Sequence, residues 1–128
     1  MKRKKFNELI IKAILDLPNS IRKKIKNIAF CVEKKPSTSI IKKLNINSDN
    51  LLLGLYQGIP KTKYGRNSFI KLPDKITIFQ ELIEKIAENK SKNIEEIIRM
   101  TVWHEIGHYF GFSEKEIREL QKKWKLKK

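Results

Sequence analysis

The sequence predicts an α+β fold, and three observations carry that reading. An amphipathic helical repeat opens the chain, short β-branched and aromatic runs occupy its middle, and a long, mostly apolar helical stretch follows them. Helices and strands that are grouped rather than alternating build a small sheet with helices packed on it, without internal repeats. At 128 residues and 40% hydrophobic content the chain is expected to form one domain over 1–128 with a core of its own. The basic ends, 1–5 and 122–128, are the segments expected to be disordered.

From Phe6 to Leu17, the residues Phe6, Leu9, Ile10, Ala13, Ile14 and Leu17 share one helical face, and Pro18 ends the element. Pro18 and Asn19 mark a turn before a short segment around Ile21 to Lys26. Ile28 to Val32 is β-branched and aromatic, as a buried strand requires, and the K-K-P-S-T-S that follows reads as a loop. Leu51 to Tyr56 and Ile76 to Phe79 are the other predicted strands. Gly54, Gly58 and Pro60 punctuate the first, and Y-G-R-N-S-F with Pro73 and Asp74 forms the loop into the second.

The long helix is the best-defined element. Ile94, Ile97, Ile98, Thr101, Glu105 and His108 follow the i, i+3, i+4, i+7 rhythm, and Met100, Trp103, Ile106 and Phe110 cover further faces, which predicts a largely buried helix. Asn93 caps its start, with Glu96 three residues on completing a capping box. Gly107, inside the helix, costs about 1 kcal/mol relative to alanine, and a close-packed neighbour is the expected reason for it. Ser113 with Glu116 forms a second capping box, opening a short helix from about Ser113 to Lys123.

Within this region His104, Glu105, His108 and Glu114 stand at the spacing of a zinc hydrolase site. An α-helix repeats every 3.6 residues, so His104 and His108 project one turn apart from one face and reach a single ion. Zinc in a catalytic site takes three protein ligands plus water, which leaves one ligand to find. Gly111 can take the left-handed conformation that ends a helix and return Glu114 toward the imidazoles. Glu116 and Glu119 compete for that third place. With the ion lowering the pKa of its water, Glu105 is the expected general base for attack on a carbonyl carbon.

Three blocks carry a wider resemblance: L-L-L-G-L-Y-Q-G-I-P, then L-P-D-K-I-T-I-F, then H-E-I-G-H-Y-F-G-F-S-E. The last resembles the H-E-x-x-H-x-x-G-x-x-[H/D/E] signature of metzincin-type zincins. Together, over Leu51 to Leu120, they resemble the bacterial minimal zincins, small metallopeptidase-like proteins of about this length. The resemblance implies a small mixed sheet packed against an N-terminal helix and the HExxH helix, with a short C-terminal helix after it. It implies a zinc metallopeptidase acting on peptides or proteins, with His104, His108 and Glu114 as zinc ligands and Glu105 as general base. Two departures stand out. No methionine follows the motif, so there is no Met-turn, and Tyr109 stands where many of these proteins carry another histidine; its phenol is able to donate a hydrogen bond, and burial against the core is its expected role.

The formal charge of +15 raises an alternative, a basic RNA- or ribosome-associated module with a structural or vestigial zinc site. The charge gathers at the two ends, whereas Glu81 to Glu119 holds nine acidic residues against six Lys/Arg. No nucleic-acid-binding signature accompanies it, and nucleic acid is not the favoured partner. Trp124 is expected to pack on the domain rather than stack on a base. Tyr56, Tyr64 and Arg66 are candidate oxyanion or substrate contacts around an exposed edge at Gly58 to Leu72, set against the simpler reading that they pack a turn or face solvent. Cys31, the single cysteine, reads as a small buried hydrophobe. Without a cysteine pair, an apolar leader or a run long enough for a membrane span, a cytoplasmic location is expected.

Overall fold

A computed structural model describes residues 1–44, 52–58 and 73–127, with side chains to Lys123. It is α+β. Six helices and three strands follow one another among these residues: α1 (Arg3–Leu15), α2 (Asn19–Arg22), β1 (Ile28–Glu33), α3 (Thr38–Lys43), β2 (Gly54–Gln57), β3 (Asp74–Phe79), α4 (Gln80–Asn89), α5 (Ile94–Phe110) and α6 (Glu114–Lys127).

The sheet is mixed and runs in the order β1-β3-β2. β1 lies parallel to β3, with Phe30 opposite Ile76, and β2 lies antiparallel to β3, with Tyr56 also opposite Ile76. β3 is central, and Ile76, Thr77, Ile78 and Phe79 are all buried. A strand buried on both faces is expected to be a continuous β-branched and aromatic run, and I-T-I-F is one. β2 is short and sits at the sheet edge beside α5.

The core joins α1, β3 and α5. Phe6, Leu9, Ile10, Ala13 and Leu17 bury the predicted face of the N-terminal segment against the α5 residues Ile98, Val102 and Ile106. Each such aliphatic side chain contributes about 1.5–3 kcal/mol on full burial. No helix among the described residues is long and apolar enough to cross a membrane.

Several boundaries differ from the sequence reading, each for a physical reason. α1 starts at Arg3, so the basic start is helical from there, and it ends at Leu15 because a residue before proline is driven out of the helical region, which turns the chain out before Leu17. The K-P-S-T-S stretch is not all loop: the Ser37 hydroxyl accepts the Ile40 N–H at 3.2 Å and caps α3. The run Q-E-L-I-E-K-I-A-E-N, absent from the predicted elements, continues directly from β3 as α4 and buries Gln80, Leu82 and Ile83. Cys31 is half-buried rather than sealed in the core. Tyr64 and Arg66 lie outside the described residues, as does the side chain of Trp124.

Candidate metal centre

α5 forms where its caps predict. The Asn93 side chain accepts the Glu95 N–H at 2.8 Å at one end. At the other, Gly111 takes a left-handed conformation (φ 78°), and the Phe112 N–H returns to the Gly107 carbonyl at 2.9 Å. That i to i−5 bond closes the helix and reverses the chain. α6 then starts with a reciprocal capping box: Ser113 N–H donates to Glu116 Oε1, and Glu116 N–H donates to Ser113 Oγ, both at 3.1 Å. Glu116 is thereby committed to the cap, and Glu114, in the same first turn, turns its carboxylate to the α5 histidines.

Two glycines let neighbouring elements close on α5 from opposite sides. A Cβ at Gly107 would stand 2.5 Å from Ile117 Cγ1, so α6 docks directly on the α5 backbone, which is the close approach expected of a glycine in mid-helix. Ile117 is fastened twice, since its carbonyl also accepts the Trp103 indole N–H at 3.1 Å. A Cβ at Gly54 would stand 2.9 Å from Thr101 Cγ2 and 3.0 Å from Glu105 Cγ, so β2 lies against the turn of α5 that carries Glu105.

Between these two contacts lie the four residues of the motif. The His104 and His108 rings are 4.7 Å apart, centroid to centroid, at 82°. His104 Nε2 lies 2.8 and 3.0 Å from the two carboxylate oxygens of Glu114, and His108 Nε2 lies 3.4 Å from one of them. Glu105, on the other side, uses one oxygen to accept the Tyr56 N–H at 2.9 Å and holds the other 3.2 Å from His104 Nδ1. Glu119 is solvent-exposed.

The donor set suits a small cation that accepts nitrogen and oxygen. Tetrahedral zinc with bonds of about 2.0–2.1 Å spaces its ligand atoms about 3.3 Å apart, close to the 3.0 and 3.4 Å found between Glu114 Oε1 and the two Nε2 atoms. His104, Glu105 and His108 can also bring one donor atom each within 4.8 Å of one another, which makes Glu105 a rival ligand. Its oxygens, however, address a backbone N–H and the Nδ1 side of His104, whereas Glu114 addresses the Nε2 side of both rings.

The same contacts shape the electrostatics. The hydrogen bond with Glu105, opposed by partial burial and supported by Glu114, pushes His104 up to about 9. Glu114 is held below the ordinary carboxylate range, chiefly by its hydrogen bond to His104. Burial, with a 2.7 Å hydrogen bond to Asp74, pushes Tyr56 up to about 12. Its phenol is therefore turned to the sheet, and its backbone N–H is the group that meets the site.

Two residues depart from expectation. Tyr109 is not simply buried: its hydroxyl donates to the Lys26 carbonyl at 3.1 Å, tying α5 to the segment before β1, and its ring meets Tyr56 edge-on. Met100, expected to cover an inner face of α5, is 40% exposed. It lines a cleft of about 800 Å³ bounded by β2, α5 and α6, with His104, Glu105, His108 and Glu114 on its surface. Periodicity identifies a helix face, and it cannot say which part of that face a neighbouring strand leaves uncovered.

A family model described as zincin-like metallopeptidase matches residues 25–124. No curated protein matches the chain. The matched span runs from just before β1 into α6 and includes every residue of the site.

Proposed function

This chain belongs to the zincin-like metallopeptidase family, and from that premise we propose that it is a zinc-dependent hydrolase cleaving peptide bonds, with His104, His108 and Glu114 holding the ion and Glu105 as general base. The observation that carries this reading is the convergence of the Nε2 atoms of His104 and His108 on the Glu114 carboxylate, with a separately held carboxylate beside them.

His104, His108 and Glu114 would hold the ion, which would supply an acidified water and a Lewis acid for the carbonyl. The protein's part lies in placing its own groups. A proton on His104 Nδ1, donated toward Glu105, leaves the Nε2 lone pair free for the metal and fixes the orientation of the ring. The Tyr56 N–H fixes Glu105 in turn, on a strand rather than a loop. Each carboxylate oxygen has two acceptor positions, so Glu105 keeps the capacity to take a proton from the attacking water. It then delivers that proton to the leaving amine nitrogen. Burial of Glu105 beside the sheet edge keeps its carboxylate from rotating into solvent, and this positioning is the larger contribution of the fold.

The test is metal removal and return. A diverse peptide mixture incubated with the zinc-loaded protein should yield new termini by mass spectrometry; chelation should abolish them and one equivalent of zinc should restore them. Hydrolysis indifferent to chelation, or a zinc-replete protein that cuts nothing in the mixture, would overturn the proposal.

A further inference from the structure

α1 has two faces that differ in kind. Phe6, Leu9, Ile10 and Ala13 are buried in the core, whereas Ile11 and Leu15, one helical turn apart on the opposite side, stand 56% and 59% exposed. Among the described residues no other large hydrophobic side chain is as exposed as these two. A single exposed aliphatic is ordinary on a protein surface; a neighbouring pair on a rigid helix needs a further reason, and the charge around it supplies one.

Residues 1–26 hold nine Lys/Arg against two acidic residues, so much of the net charge of +15 lies on α1, α2 and the turns beside them. Lys4, seven residues before Ile11, shares the outer face of α1. The Arg22 guanidinium donates to the Leu15 carbonyl at 2.9 Å and fastens α2 to the end of α1, which holds the exposed Lys23 and Lys24 close to that end. Of the two acids, Asp16 lies 3.9 Å from Arg99, and Glu8 is exposed between Lys4 and Ile11. The surface therefore stays strongly positive around its apolar pair. It is also turned away from the metal site. The ion pairs of α1 with α5 are Lys12 with Glu95 and Asp16 with Arg99, and these α5 residues stand nine and five positions before His104. At about 100° per residue, both project from the half of α5 opposite His104.

We propose that the outer face of α1, together with α2, docks on an anionic lipid bilayer, with Ile11 and Leu15 entering the headgroup region and the basic side chains meeting the lipid phosphates. An aliphatic pair set in a basic surface suits a membrane interface, where apolar burial and charge attraction add. It suits RNA less, because unpaired bases are gripped by aromatic stacking, and the one aromatic residue of α1 and α2, Phe6, is buried. With α1 on the far side of α5, a docked molecule keeps its imidazoles open to solvent. The docking surface stands whether or not the cleft cuts peptides.

Flotation of the full zinc-loaded chain with lipid vesicles is the test. Vesicles of phosphatidylcholine with about one-third phosphatidylglycerol should bind the protein at low salt, and vesicles of phosphatidylcholine alone should bind it at least about tenfold more weakly. Ile11→Gln with Leu15→Gln, which leaves every charge in place, should weaken binding to the anionic vesicles by at least about tenfold, and Ile11→Leu with Leu15→Ile should retain it. Lys23→Gln with Lys24→Gln should also weaken it by about tenfold. These side chains are exposed, so the substitutions leave the core intact. Failure to bind the anionic vesicles, or binding that survives Ile11→Gln with Leu15→Gln, would overturn the proposal. So would tight association with polyuridylate at the same salt by a protein that leaves the vesicles unbound, which would assign the surface to RNA.

Discussion

Glu105 and Glu114 flank the same pair of imidazoles, yet the molecule treats them in opposite ways. The Glu105 side chain is 8% exposed and is gripped from the sheet side, by the Tyr56 N–H and by the close approach of Gly54. The Glu114 side chain is 57% exposed and is delivered from the helix side, by a chain reversal at Gly111, a capping box and the docking of Ile117 on Gly107. On the proposed roles, the group that would move a proton is the one whose geometry is fixed at the sheet edge. The group proposed to reach the ion sits instead on a helix docked over the site through Ile117, with its carboxylate left exposed toward the imidazoles.

The sharpest way to break this division is to neutralise each carboxylate. Glu105→Gln should leave zinc stoichiometry intact and lower turnover by about 10²–10⁴-fold, measured on any peptide the wild-type protein cuts. Unchanged hydrolysis would remove Glu105 from the reaction. Glu114→Ala should instead weaken zinc by at least about 10–100-fold in a competition titration. An equally tight variant would hand ligation to another carboxylate.

The two glycines offer a gentler version of the same contrast. Gly54→Ala pushes on Thr101 and Glu105, so it should lower turnover more than zinc affinity. Gly107→Ala pushes on the fully buried Ile117, so it should lower zinc affinity and stability together, by about 1–3 kcal/mol of overpacking less about 1 kcal/mol of regained helix propensity. Identical profiles from the two variants would mean that the sides of the site are not separately held. Ser113→Ala, which removes only the cap of α6, should cost about 0.5–2 kcal/mol in thermal unfolding, with a loss of zinc affinity that Gly54→Ala does not show.

pH gives the smallest and most graded effect. In the zinc-free protein His104 titrates near 9 instead of about 6.5 in the unfolded chain, because its charged form is favoured by Glu105 and Glu114. The sign follows: the stability contributed by that proton is complete below about pH 6.5 and is lost as pH rises through about 9. Zinc competes for the same ring, so its affinity in the folded protein should climb with pH throughout the range below about 9 and level off there. An affinity flat across that window would place the metal elsewhere.

Much of this arrangement is legible in the sequence because it is local. Asn93, Gly111 and the Ser113/Glu116 box mark helix ends through bonds to residues two to five positions away, and the i, i+4 histidines need nothing beyond helical geometry. The close contact at Gly107 is also visible in outline, since a glycine costs helix stability wherever packing does not require it. What could not be read is non-local. The grip of the Tyr56 N–H on Glu105 spans 49 residues and depends on β2 occupying the sheet edge beside α5. Met100 looks like any other apolar helix residue until the cleft beside it is seen. The helix α4 is hard to read from sequence for a different reason: it follows β3 with no turn residue between, and boundary signals are the ones a sequence supplies most clearly.

Anomalous diffraction at the zinc edge, from crystals of the zinc-loaded wild-type protein, tests the division of labour most directly. One strong peak should lie about 2.0–2.2 Å from His104 Nε2, His108 Nε2 and a Glu114 oxygen, with Glu105 beyond bonding distance and the remaining position taken by water. Glu105 in direct coordination, a fourth protein ligand closing the site, or a peak away from the two histidines would contradict it.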